Sequence, residues 1–406
     1  MATLPLVLGR AKLTNRERIF SEASYWISPA TTFSLVDRKT GTIPSVFTRA
    51  STATYFDRNG ILQTAAVNEP VIEWDPATGA CLGWRIWDGV TNLVLGSNQI
   101  GGAQWINQGS IGVTLNTTDV KDPAGGNSAT KLVYGASNSQ SIQALSLGSN
   151  TFTESVFLRT STGTADVVVR LFLAASPFTL IATNTFTVTT SWTRVSVPAT
   201  VTSASSYNFS IYLPNSGTTV YAYGAQLNTG PLAPYVPTGA LTASSTADVA
   251  SITGAAFAGI INTLQGAVFA ETVTQSSTVT DFSRIVSIDQ GNGTPNFIAL
   301  VRSPGISRHE LSVFAGTGQA VGLQPAVTLT ANSNARSAFS YATDDFICAV
   351  SGVLSAADTL GSVPTGLATL GIGSQGNGSL QLKGYIRELA IWKSRRPNAN
   401  LQYMTQ

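Results

Sequence analysis

Residues 221–239 read YAYGAQLNTGPLAPYVPTG, and the way this stretch divides sets the architecture of the chain. Its first half alternates as a β-strand does, with Tyr221, Tyr223, Ala225 and Leu227 on one side and Ala222, Gly224 and Gln226 on the other. Its second half is broken by Gly230, Pro231, Pro234, Pro237 and Gly239. Proline cannot donate to a sheet ladder, so three of them exclude a central strand here. Upstream, 98–229 repeats one pattern, a short apolar or alternating run and then a turn, as in ATKLVYG, FTESVFLRT, WTRVSVPA and YNFSIYL. VVVRLFL (167–173) is nearly all apolar and reads as a strand buried on both faces. Downstream, a second series runs from GAVFAETV to YIRELAIW. Strands at this spacing predict sandwiches or barrels. The reading is all-β: an N-terminal mixed attachment region (1–97), an antiparallel β-sandwich (98–229), a linker (230–246), a second antiparallel sandwich (247–396) and a short tail (397–406).

Composition agrees. Of 406 residues only 11% are charged while 43% are apolar, so cores are affordable and the surfaces are neutral and hydroxyl-rich. Net charge is +2, and the longest basic cluster is KSRR (393–396), which excludes the basic stripe that nucleic-acid binding requires. No run of 18 or more apolar residues is present, so no membrane insertion is expected. MATLPLVLGR lacks a charged segment before its apolar stretch, and no signal peptide is expected. Cys81 and Cys348 read as reduced thiols of a chain made in the cytoplasm, with a disulfide left open. Near the N-terminus, Thr14 can cap a short helix carrying Arg16, Glu17 and Arg18, in what reads as an arm without a core of its own that orders against a partner.

Several motifs resolve into turns. DRNG (57–60) between TATYF and ILQTA is a hairpin signal, and WDPATG (74–79) is another turn. GIGSQG (371–376) matches a dinucleotide fingerprint letter for letter, but a strand pattern follows it where the phosphate site needs a helix N-terminus. DRNG and DQGNG (289–293) carry one aspartate each, too few for a calcium loop, and no metal site is expected. Glu69, Glu73, Asp75 and Asp88 are the densest carboxylates, yet glycoside hydrolysis needs a pair about 5–10 Å apart across a sugar, and salt bridges or solvated loops explain them more simply. His309 is the only histidine, in SRHEL, and without a nucleophile elbow it reads as a loop residue. No enzyme activity and no cofactor are expected.

The stretch SVFTRASTATYFDRNGILQTAAVNEPVIEWDPATGACLG (45–83), followed by TNLVLGSN (91–98), resembles a module of tailed-phage fibre and head-spike proteins. WTRVSVPAT (192–200), FSIYL (209–213) and 220–239 are similar to a carbohydrate-binding-type jelly roll. The part from ADVASI (247–252) to LQLKGYIRELAIWKSRR (380–396) resembles a concanavalin/laminin-G-like sandwich. One segment departs: relatives carry a carboxylate-rich run where this chain has GWRIWDGVTN, so no contact is carried over there. The resemblance implies a virion surface protein, a fibre or spike assembled in the host cytoplasm as a homotrimer. It implies mounting on other virion proteins through 1–97 and binding of host surface polysaccharide through the sandwiches. A purely structural collar or decoration protein and a polysaccharide-degrading spike are the alternatives.

Seven tryptophans and eleven tyrosines supply rings that can stack on a sugar. Trp105, in the polar context GGAQWINQGS, and Tyr207, ahead of a strand, are the candidates in the first sandwich, whereas Trp192 and Trp392 read as core. Arg302, His309, Asp344 and Asp345 are candidates at loop ends of the second.

Overall fold

The computed structural model describes residues 14–276, 279–293, 295–316 and 318–406. Its elements are almost all antiparallel strands, as the alternating patterns predict. The chain divides into two compact units, one of 47–249 with 383–385 and the other of 14–46, 250–382 and 386–406. The N-terminal region is therefore shared out between the two units, and it is not a body of its own.

The first unit holds a sandwich of ten strands: β1 (Ile106–Gln108), β2 (Gly112–Thr114), β3 (Thr130–Val133), β4 (Ser139–Leu147), β5 (Asn150–Thr160), β6 (Ala165–Leu173), β7 (Leu180–Val188), β8 (Thr193–Val201), β9 (Ser205–Leu213) and β10 (Thr219–Thr229). They form two five-stranded sheets, ordered β8-β5-β10-β3-β2 and β7-β6-β9-β4-β1. Alternate residues of each strand meet between the sheets: Val167, Val169 and Leu171 of β6, Phe209, Ile211 and Leu213 of β9, and Val195, Val197 and Ala199 of β8. Full burial of each Val, Leu, Ile or Phe among them contributes about 1.5–3 kcal/mol. The expectation that β6 is buried on both faces fails, because Val168, Arg170 and Phe172 lie half-buried on the outer side.

The simple alternation expected for 221–227 also fails. Phe157 of β5 pairs with Tyr223 of β10, but Ser155 pairs with Gln226, so β10 carries one extra residue. This β-bulge switches faces: Tyr223 points to the outer side while Ala225 and Leu227 join the core. Gly224 makes the bulge possible, with φ +64 and a position where a Cβ would sit 2.9 Å from the Phe157 ring. Gly224→Ala is accordingly expected to lower unfolding free energy by about 2 kcal/mol or more, from left-handed backbone strain plus the clash. Chemical denaturation checks this, and an unchanged midpoint would remove the bulge's steric rationale.

The outer side of the β8-β5-β10-β3-β2 sheet is covered by the chain itself. The hairpin of Ala53–Phe56 and Leu62–Ala65, turned by DRNG as expected, lays Phe56 and Leu62 on Phe157, Tyr223, Tyr235 and Trp192. Phe157 and Tyr235 meet edge to face at 6.1 Å. The segment read as a linker takes part in this cover. Ala233, Tyr235 and Val236 are buried, Tyr235 Oη donates to Asn98 Oδ1 at 2.6 Å, and Asn92 Nδ2 donates to the Val236 carbonyl at 2.9 Å. The prolines do prevent a strand, but they leave carbonyls that side chains of the same unit satisfy, so the segment is packed and not a free connector.

The second unit is also a two-sheet body. One sheet contains Asn334–Ala342, Asp345–Val350, Gln265–Thr274 and Gly384–Trp392, with Tyr25–Ile27 paired to the last of these. The other contains Thr369–Ile372, Arg284–Asp289, Phe297–Arg302, His309–Ala315 and Gly318–Leu323. The helix Asn15–Ser21 has the predicted Thr14 cap, completed as a capping box by Glu17. It is not a free arm, because Phe20 is fully buried against Trp26, Phe269 and Trp392. Likewise 397–406 is no loose tail: the helix Asn398–Thr405 buries Leu401 and Met404 in the same cluster. Residues 1–13 of the expected arm lie outside the described residues.

Candidate functional site

The six residues expected to bind ligand do not converge. Trp105 is buried in the first unit's core, 5.9 Å from the Phe209 ring, and offers no stacking face. Tyr207 lies within β9 and points inward, its hydroxyl donating to the Ser203 carbonyl at 2.8 Å. In the second unit, Arg302 and His309 are brought opposite each other as a cross-strand pair, but both are buried. Arg302 donates to the carbonyls of Leu382 and Ser276. His309 is not a loop residue: it opens a strand, and its Nδ1 sits 2.7 Å from Ser337 Oγ. Asp344 occupies an exposed turn with φ 57, and Asp345 accepts from Arg395 at 2.7 Å.

Burial, reinforced by the Arg302 charge, lowers the His309 imidazole to about 3. The sign follows: its contribution to stability is present above the ordinary value of 6.5 and is lost as pH falls below it. Being the only histidine, it gives one clean NMR signal, expected not to titrate between pH 5 and 8. A midpoint near 6.5 would show the ring in water.

The other expected sites are structural. Glu73 pairs with buried Arg85 at 3.2 Å, Asp88 with Lys383 at 3.0 Å, Glu69 accepts from the Ala66 amide, and Asp75 accepts from Ala77 and Thr78 in its turn. In DRNG, Asp57 accepts from the amides of Asn59 and Ile61. In DQGNG, Asp289 accepts from the amides of Gly291 and Gly376 and from the Ser287 hydroxyl. A carboxylate whose lone pairs are taken by N–H and O–H donors organises a loop. GIGSQG is the other half of that loop. Among the described residues no group of three metal-ligating side chains assembles, and no helix is long and apolar enough to cross a membrane. Neither cysteine is in a disulfide, and burial pushes the Cys348 thiol up to about 12.

The β7-β6-β9-β4-β1 sheet presents a different surface on its outer side. Register aligns its outward residues in rows across the strands. One row is Thr185, Val168, Tyr212, Gln140 and Gln108; the next is Thr183, Arg170, Ser210, Ile142 and Ile106. A third holds Leu180, Phe172, Asn208 and Ala144. Gln140 and Ser210 form a floor, only 3% and 0% exposed, while Tyr212, Arg170 and Phe172 stand half-buried above it. Apolar side chains rim the face: Ile106 is 56% exposed, and Phe178 and Leu180 are 59% and 51% exposed.

The floor is a closed hydrogen-bond network. Gln140 Oε1 accepts from Arg170 Nη2 at 2.8 Å and from Ser210 Oγ at 2.7 Å. Gln140 Nε2 donates to Gln108 Oε1 at 2.6 Å and to Asn138 Oδ1 at 3.1 Å. The Arg170 guanidinium lies 4.4 Å from the Tyr212 ring centroid. Both side chains are thereby held in one geometry, which lowers the ordering cost of binding. Such a face can stack a planar or pyranose ring and hydrogen-bond hydroxyls beside it. The sequence candidate Tyr207 and the outward Tyr212 lie on the same strand with opposite parity. In YNFSIYL the apolar set 207, 209, 211 and 213 goes inward, and Asn208, Ser210 and Tyr212 go outward.

No protein-family model matches the sequence, and no curated protein matches it. Solved structures do. A carbohydrate-binding module of family 4 shares 17% identity over 34% of this chain and 99% of its own, with a TM-score of 0.28. The family 40 module of a Ruminococcus gnavus sialidase, bound to α2,3-sialyllactose, shares 15% identity over 35% of this chain and 82% of its own, with a TM-score of 0.30. Domain 4 of the Geobacillus stearothermophilus arabinanase AbnA, in complex with arabinotriose, shares 16% identity over 44% and 83%, with a TM-score of 0.32. At these scores the likeness decides nothing about ligand, and the functional reading rests on the face itself.

Proposed function

We propose that this chain is a non-enzymatic glycan-binding component of a tailed-phage virion surface, a fibre or spike whose β7-β6-β9-β4-β1 face seats a host polysaccharide. The observation that carries the glycan reading is the asymmetry of the first unit. Its one sheet is covered by 53–65 and 233–236, whereas the other leaves a satisfied polar floor under Tyr212, Phe172 and Arg170. Ordinary solvated sheet faces carry scattered charges and short polar side chains, whereas rings over a prearranged hydrogen-bonding floor fit the alternating apolar and hydroxyl faces of a sugar. The phage setting, mounting on other virion proteins and the homotrimer are supported by the resemblance of 45–83 and 91–98 to fibre and head-spike modules. The engagement of Glu69, Glu73, Asp75 and Asp88 in turns and ion pairs favours binding over hydrolysis. The test is affinity electrophoresis of the purified protein through bacterial surface polysaccharides, with release of reducing ends measured in parallel. Retardation without release supports the reading; complete indifference to every polysaccharide sinks it and favours a purely structural decoration protein.

A further inference from the structure

The five strands of the β7-β6-β9-β4-β1 sheet carry two charged residues, Asp166 and Arg170. Asp166 is four residues along the same strand, about 13 Å away at strand rise, and it accepts from Thr187 Oγ1 at 2.7 Å. The loops that flank the rows, 174–179 and 214–218, carry no charge. Among the described residues no carboxylate pairs with Arg170, and its Nε–H is buried without a hydrogen-bond partner. Burial lowers its pKa, the direction expected for a cation that no nearby anion compensates.

One arginine cluster of the second unit is arranged differently. There a cavity of about 350 Å³ is lined by Arg16, Arg336, Arg387, Glu271 and Glu388. Glu271 bridges Arg336 at 2.8 Å and Arg387 at 2.9 Å, and Glu388 pairs with Arg16 and accepts from Trp26 at 2.8 Å. Those arginines are neutralised from within the fold. Arg170 is not, although it is fixed between Tyr212 and Gln140 as firmly as a binding group needs to be.

We propose that the Arg170 guanidinium is the recognition site for a carboxylate, so that the glycan seated on this face is an acidic polysaccharide containing uronic or other carboxylated sugars. This rests on the glycan reading above and narrows it. A half-buried cation costs desolvation energy, and a ligand carboxylate returns it through a charge-assisted hydrogen bond. With Nη2 held by Gln140 and Nε enclosed by the fold, Nη1 is the donor left for that carboxylate, and Tyr212 beside it takes the sugar ring.

The experiment compares uronate-containing polysaccharides (polygalacturonate, alginate and hyaluronate) with their carboxyl-reduced counterparts, which keep the backbone and lose only the charge. Binding of the full chain to at least one acidic form is expected to be about 10-fold tighter than to its reduced form, with the preference shrinking as salt is raised. Arg170→Gln is expected to abolish the preference and leave equal residual binding to both forms. Arg170→Lys restores part of it by keeping the charge without the contacts that fix the guanidinium against Gln140 and Tyr212. Thermal melts of both variants keep a folding defect from passing as a binding defect. Equal binding of acidic and reduced forms by the parent overturns the carboxylate assignment and leaves the glycan reading standing. Absence of binding to either form, together with indifference to neutral polysaccharides, overturns both.

Discussion

Tyr212→Ala is expected to weaken polysaccharide binding by about 30-fold, while the melting temperature stays within a few degrees of the parent. Removing a ring at the centre of a binding face costs on the order of 2 kcal/mol, which is that factor in affinity. The fold tolerates the change because Tyr212 is half-buried on the outer side of β9, away from the core residues Phe209, Ile211 and Leu213. The matched control is Tyr207→Ala on the same strand. Tyr207 is 2% exposed and points inward, so its removal leaves a cavity and is expected to cost about 3–5 kcal/mol of stability. The molecules that remain folded should bind as the parent does. Isothermal titration together with denaturant melts reads both quantities. The opposite pattern, with binding lost at Tyr207 and kept at Tyr212, would place the site on the wrong side of the sheet.

Glu154→Gln is expected to stabilise the first unit at neutral and alkaline pH, by an amount that grows with pH. Glu154 is fully buried on β5, and its cross-strand neighbours Val197 and Leu227 are core residues. Neither carboxyl oxygen has a hydrogen-bond partner among the described residues. Burial alone raises its pKa well above the ordinary 4.5. A raised folded value means the stability is fully present below 4.5 and is lost as pH climbs toward the folded value, at up to about 1.4 kcal/mol per pH unit. Glutamine has the same shape and no charge to bury, so the gap between variant and parent should widen at that slope from pH 5 upward. Comparing variant with parent also cancels His309, which acts in the opposite direction below 6.5. Parallel stability curves across pH 5–8 would mean that the carboxyl is not desolvated.

Much of the fold was legible because its signals are local. The Thr14 cap, the DRNG and WDPATG turns and most of the period-two runs each depend on a few adjacent residues, and the structure contains them, with 221–227 the exception. The candidate site was less legible. Trp105 looked exposed because glycine and polar residues surround it in sequence, but packing against Phe209 decides its burial. The segment 230–246 looked like a linker because its prolines forbid a strand, but a segment without secondary structure can still be buried when side chains such as Asn92 satisfy its carbonyls.

By itself, then, the sequence determined that this chain is made of antiparallel strands, where most of its turns fall, and that it carries no basic stripe. Tertiary structure alone decided three things: that Gly224 shifts the parity of 221–227, that the 53–65 hairpin and Tyr235 cap one sheet of the sandwich, and that among the described residues Arg170 stands without a carboxylate. Alternation assigns residues to two faces from local geometry. Which face is covered, and which charges meet across strands, depends on residues brought together from distant parts of the chain.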